Sequence, residues 1–162
     1  MRRTILLLRH AKSSWDDSRQ GDFDRPLAAR GRLAATLMGT YLVEERLIPD
    51  RVLCSSAART RETWRRAAVE TGRTIPVDYL DSLYEAMPAT ILGELAKLDD
   101  AIAYALVVAH NPGLEMAARE LVGDGVADAR RRLDDKFPTA GLAVIDAELP
   151  EWGDLRRPLR SP

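Results

Sequence analysis

A chain of 162 residues, 46% hydrophobic and 30% charged, can bury one substantial core and reads as a single domain over residues 1–162. A formal net charge of −1 excludes a global basic footprint for nucleic acid and leaves no acidic tail. The single cysteine, Cys54, excludes an internal disulfide, and no stretch approaches the ~20 apolar residues of a membrane helix.

Thr4 to Leu8 is a short apolar run that reads as a buried strand; it ends at Arg9-His10, too soon for a signal peptide. A cytoplasmic location is expected, with no membrane partner and no nucleic acid. Residues 11–29 are polar, carry Gly21 and Pro26, and read as a loop. Arg30 to Arg46 is a predicted helix. Leu33, Leu37 and Tyr41, with Ala34, Met38 and Leu42, are expected to form its apolar stripe. Arg51 to Cys54 is a second strand, and Ser55 or Ser56 is expected to cap a helix from about Ala58 to Glu70. Thr71-Gly72 closes that helix, and Ile75 to Leu80 is a third strand.

Pro88 opens a helix with Ile91, Leu92, Leu95 and Leu98 on one face. Tyr104 to Ala109 is the most apolar strand. Pro112-Gly113 then leads into a short helix carrying Leu114, Ala117, Ala118 and Leu121. Gly123 to Pro138 is polar, with a Gly-Asp-Gly turn and the run Arg130-Arg131-Arg132, read as a solvated helix face with docking of a phosphoprotein as the alternative. Gly141 to Ala147 is the last strand, and the Pro-rich tail from Glu148 is expected to wrap the surface. Alternating strands and helices argue for an α/β fold with a mainly parallel sheet covered on both faces.

Both histidines of the chain, His10 and His110, follow directly on predicted strands. Ligands of such sheets bind outside the carboxyl ends of the strands, and Arg9, His10, Ser55 and His110 all fall there. Histidine titrates near neutral pH and can serve as nucleophile, base or acid. The basic residues are mostly arginines, whose planar fork suits phosphate; only Lys12, Lys97 and Lys136 are lysines.

The ordered set Arg9-His10, Ser55-Ser56-Ala57-Ala58-Arg59 and His110-Asn111-Pro112-Gly113 resembles the histidine phosphatase superfamily, the phosphoglycerate-mutase-like enzymes. The closer resemblance is to its small SixA-like branch of phosphohistidine phosphatases. It is carried by Leu8 to Trp15, by Asp24-Arg25-Pro26-Leu27 with Arg30-Gly31, and by Phe137-Pro138-Thr139-Ala140.

The resemblance implies a three-layer αβα sandwich and a hydrolase that needs no metal or other cofactor. It assigns His10 as the nucleophile that becomes phosphorylated, Arg9 and Arg59 as the phosphate clamp, and His110 as a further donor to the phosphoryl oxygens. Arg25 is a further candidate contact. Phosphoryl transfer asks a protein mainly for positioning and charge stabilisation, which such a set supplies. The implied substrate is phosphohistidine on a protein; the alternatives are a small phosphomonoester and a non-catalytic phospholigand-binding module. A mutase would need a lid to keep water from the intermediate, and no segment reads as one.

The chain departs from the family pattern twice. Ser56 stands where proline usually follows the serine, so a less rigid loop is expected. The leaving-group acid lacks its usual surroundings, and Glu85 is the nearest candidate. Cys54 is read as a small buried residue. A cysteine phosphatase loop would need an arginine six positions on, where Thr60 stands. Two histidines without clustered carboxylates or thiols suggest no metal site. Trp15 and Trp64 are read as packing residues.

Overall fold

The computed structural model describes residues 2–14, 21–122, 130–133 and 141–156. Trp15, the Gly-Asp-Gly turn, Phe137 to Ala140 and the last residues 157–162 lie outside the described residues. Six strands form one sheet: β1 (Arg2–Arg9), β2 (Arg51–Ser55), β3 (Val77–Leu80), β4 (Tyr104–Ala109), β5 (Arg130–Leu133) and β6 (Leu142–Glu148), in the spatial order β3-β2-β4-β1-β6-β5. The first four run parallel. Strand β6 is antiparallel to β1, and β5 is antiparallel to β6. Among the described residues the α-helices are α1 (Ala29–Glu44), α2 (Ala58–Thr71), α3 (Pro88–Leu95) and α4 (Gly113–Glu120).

Alternation along the strands splits the core in two. Ile5, Leu7, Leu53, Ala105 and Val107 point to the face covered by α3 and α4. Leu6, Leu8, Val52, Cys54, Leu106 and Val108 point to the face covered by α1 and α2. Both faces of the parallel strands are buried, which is why their sequences are unbroken apolar runs. This is the expected αβα sandwich.

Several local expectations change. Leu33 and Leu37 are 62% and 47% exposed, and the buried face of α1 is instead Gly31, Ala34, Ala35, Met38, Gly39, Tyr41 and Leu42. Small residues set this face because α1 lies close against α2; a Cβ on Gly39 would overlap the Ala67 carbonyl. Ser55 and Ser56 do not cap α2. Ala57 is the N-cap residue, and no side chain caps that end. Strand β3 starts at Val77, after Pro76, which has no N–H to give a ladder. Helix α3 ends at Leu95, so Leu98 packs from the turn beyond it.

The arginine run 130–132 is strand β5 rather than a helix, paired with β6. The tail does more than wrap the surface. Trp152 is fully buried and donates from Nε1 to the Ile102 carbonyl at 3.0 Å. Arg3, also buried, donates to the carbonyls of Leu149, Asp100, Ile102 and Pro150, and its guanidinium lies 5.3 Å from the Trp152 ring centre. A buried arginine needs its donors satisfied, and the tail supplies two of those carbonyls.

Candidate active site

Strand register brings the two histidines together. Arg9 pairs with Ala109 across β1 and β4, so His10 and His110 each stand one residue past the same rung. Cys54 pairs with Val108 across β2 and β4, which puts Ser55 at the level of Ala109. The His10 N–H continues the ladder to the Ala109 carbonyl at 3.2 Å. The ring centres of His10 and His110 are 5.3 Å apart.

The surroundings fix the tautomer of His10. Its Nδ1 lies 2.7 Å from the Ala11 carbonyl, which can only accept, so Nδ1 carries the proton. Its Nε2 therefore presents a lone pair, and Arg59 Nε donates to it at 3.3 Å. Burial, then the charges of Arg59, Arg9 and Arg25, lower the His10 pKa to about 4, against a raising contribution from the Ala11 bond. The ring is neutral at pH 7, with its lone pair on Nε2. Ala11 is itself held, since its N–H donates to Thr63 Oγ1 at 3.1 Å.

Arg59 is the hub. It is buried, second residue of α2, and its Nη1 donates to the Asp22 carbonyl at 2.6 Å. Its Nη2 reaches Asp22 Oδ2 at 3.0 Å and His110 Nδ1 at 3.4 Å. The other nitrogen of His110, Nε2, lies 2.8 Å from Ser55 Oγ. Burial, followed by Arg59 and His10, lowers the His110 pKa to about 3, so this ring is neutral too.

The loop after β2 is held by hydrogen bonds where proline is usual. Ser56 Oγ donates to Asp81 Oδ1, and the Ser56 carbonyl accepts from Arg61 Nε at 2.7 Å. Ser55 Oγ accepts from the N–H of Ala57, the N-cap residue itself, and not from the first-turn N–H groups that a cap would hold.

Arg25 is buried and donates to Ser13 Oγ and, at 2.8 Å, to Asp22 Oδ1. Its charge acts on both histidines. Arg9 is exposed at the end of β1 and acts on His10 through its charge. Glu85 is exposed, with left-handed backbone at φ 54°. Its charge acts on Tyr84. Cys54 is buried, and burial pushes its thiol up to about 12, so it stays protonated. Among the described residues no group of three or more His, Cys, Asp or Glu side chains could hold a metal ion, and no helix is long and apolar enough to cross a membrane.

Sequence reasoning missed Asp22, Tyr84, Thr63 and Glu62. Asp22 heads a short 3-10 turn, Asp22–Asp24, and Tyr84 Oη donates to its Oδ2 at 2.5 Å. Glu62 Oε1 accepts from the Leu27 N–H at 3.1 Å, tying this loop to α2. Gly31 lets α1 begin against the Lys12 backbone, where a Cβ would overlap the Lys12 carbonyl. The Arg30-Gly31 pair was the one signal in the sequence for that contact.

Comparison with known proteins agrees with this geometry. An uncharacterized protein of Mycobacterium leprae is 38% identical over 143 residues, covering 86% of each chain. A solved structure from Nakamurella multipartitia, provisionally assigned as the phosphohistidine phosphatase SixA, is 32% identical with a TM-score of 0.74, covering 97% of this chain and 91% of that one. A second, from Agrobacterium tumefaciens and with the same provisional assignment, is 31% identical with a TM-score of 0.71, covering 75% and 78%. The description of the histidine phosphatase superfamily (branch 1) matches residues 5–137. The chain belongs to the histidine phosphatase superfamily and is a phosphatase of SixA-like fold.

Proposed function

We propose that the protein is a metal-independent phosphatase that works through a phosphohistidine intermediate on His10 and acts on phosphohistidine carried by another protein. The observation that carries this reading is the tautomer of His10: proton on Nδ1 toward Ala11, lone pair on Nε2 beside Arg59. In the first step Nε2 attacks phosphorus, and the bond from phosphorus to the leaving ring breaks with its electron pair going to that ring. Arg59, Arg25 and Arg9 neutralise the charge on the three equatorial oxygens. Water then attacks the phosphoryl group on His10 and releases inorganic phosphate. His110 faces the same position across Arg59 and serves as the further donor. Glu85 is kept as the acid for substrates whose leaving group needs a proton.

The substrate class rests on the two SixA-assigned structural relatives and on an aromatic pair beside Asp22. Phe23 is exposed and meets Tyr84 edge-on at 5.1 Å, so an aromatic rim stands in solvent where a protein surface could rest. The test is a panel of histidine-phosphorylated proteins and small phosphoesters, with wild type compared to His10→Ala. Wild type is expected to release phosphate and to form an acid-labile phosphoenzyme, and the variant to do neither. Full turnover by His10→Ala would overturn the mechanism. Preference for small phosphomonoesters would overturn the substrate class, and binding without turnover would mark a non-catalytic module.

A further inference from the structure

We propose that Asp22 accepts the ring N–H of the leaving imidazole and thereby selects N-phosphorylated substrates over phosphate esters. The inference rests on the functional reading above and deepens it. The Asp22 carboxylate lies across the arginines expected to grip phosphate: Oδ1 accepts from Arg25 at 2.8 Å, and Oδ2 accepts from Arg59 at 3.0 Å and from Tyr84 at 2.5 Å. A carboxylate offers about four acceptor positions, so these three bonds leave room for one more. The Asp22 side chain is 44% exposed while that of Arg59 is 6% exposed, so Asp22 lies on the solvent side of the clamp, where a leaving group departs.

An anion in this place repels the phosphoryl group of either substrate, and a phosphate ester has nothing to offset that repulsion. It favours a phosphorylated imidazole whose far nitrogen carries a proton. When the P–N bond of that protonated ring breaks, its electron pair goes to the ring nitrogen and the ring leaves as neutral imidazole. No proton has to be delivered. An alkoxide or phenoxide leaving group is helped by an acid instead, and Asp22 is not one at neutral pH. Hydrogen bonds from Tyr84, then Arg25, hold its carboxyl well below the usual carboxylate range. The charged and titratable groups that act on it are Tyr84 before α3, Arg25 on its own loop and Arg59 from α2, and its own charge acts on His110.

The test is Asp22→Asn, which keeps the shape and removes the charge. It is assayed on a phosphohistidine peptide and on p-nitrophenyl phosphate. kcat/KM on the peptide is expected to fall roughly tenfold to a hundredfold, the worth of a charge-assisted hydrogen bond, while kcat/KM on the ester rises. The alkaline limb of kcat on the peptide is expected to move to lower pH, since the bound ring loses the anion that keeps it protonated. Asp22→Glu, which restores the acceptor, should recover part of the peptide preference. An equal fall on both substrates, or a rise on both, would overturn the proposal. If wild type turned over the ester and not the peptide, the substrate class of the preceding section would fail as well.

Discussion

Ser55 Oγ lies 2.8 Å from His110 Nε2, with both side chains buried. A hydroxyl both donates and accepts, so it can pair with either tautomer of the ring. When His110 donates from Nε2, its Nδ1 accepts from Arg59. When Ser55 donates instead, Nδ1 carries the proton and can turn to a phosphoryl oxygen. Arg59 can only donate, so its 3.4 Å contact with Nδ1 makes the first arrangement the one the structure shows, with Ser55 Oγ also accepting from the Ala57 N–H at 3.4 Å. Ser55→Ala should therefore lower kcat by roughly tenfold to a hundredfold, as expected when a buried ring nitrogen loses its partner. Steady-state kinetics give the loss, and nitrogen NMR of the His110 ring should show its tautomer balance altered.

Arg59 meets His10, His110 and Asp22 with one planar group. Lysine keeps the charge and loses the fork. Arg59→Lys is expected to cut kcat by about a hundredfold or more, the scale of removing one preorganised transition-state donor. Rapid-quench trapping should show slower formation of the phosphoenzyme. Near wild-type formation would mean that charge alone suffices.

The two histidines titrate well below an ordinary histidine, near 4 for His10 and near 3 for His110. The sign follows from proton counting. Between about pH 6.5 and 4 the unfolded chain binds protons at these rings and the folded protein does not, so stability falls as pH falls through that window. Urea denaturation at pH 7.5, 6, 5 and 4 should show midpoints decreasing in that order from this contribution. Titration of the His10 ring followed by NMR should centre near 4. A midpoint near 6.5 would contradict the environment described.

Thr63 accepts the Ala11 N–H, and the Ala11 carbonyl in turn orients His10. Thr63→Val preserves shape and leaves that N–H without its partner. A destabilisation of about 1–3 kcal/mol is expected, with a fall in kcat as His10 loses its orientation. Thermal unfolding separates the first effect and kinetics the second.

Glu85 is exposed, and its charge reaches Tyr84. If it protonates poor leaving groups, Glu85→Gln should slow alkyl phosphate hydrolysis several-fold more than phosphoramidate hydrolysis. Equal losses on the two classes would end its candidacy as that acid.

The positions of His10, Ser55 and His110 were legible because each follows an apolar run, and parallel strands deliver their ends to one edge. Asp22 was not. It is one acid in a polar loop, and nothing periodic marks the partner 37 residues away on α2. Thr63 was hidden for the same reason, since its partner is 52 residues distant. Leu33 and Leu37 misled because size draws the eye to a stripe, whereas α1 is set by glycine and alanine against α2. The run 130–132 carries no apolar alternation, so strand pairing with β6 could not be read from it.

Strand β4 lies between β2 and β1, yet it is the last of the three to be synthesised. The histidine at its end is thus the middle member of the site in space and the final one in the chain. A nascent polypeptide that has emerged only through residue 103 holds His10, Ser55 and Arg59 but lacks the strand that spaces β1 from β2. The cluster of His10, Ser55, Arg59 and His110 is therefore complete only after β4 has slotted into the gap between β1 and β2.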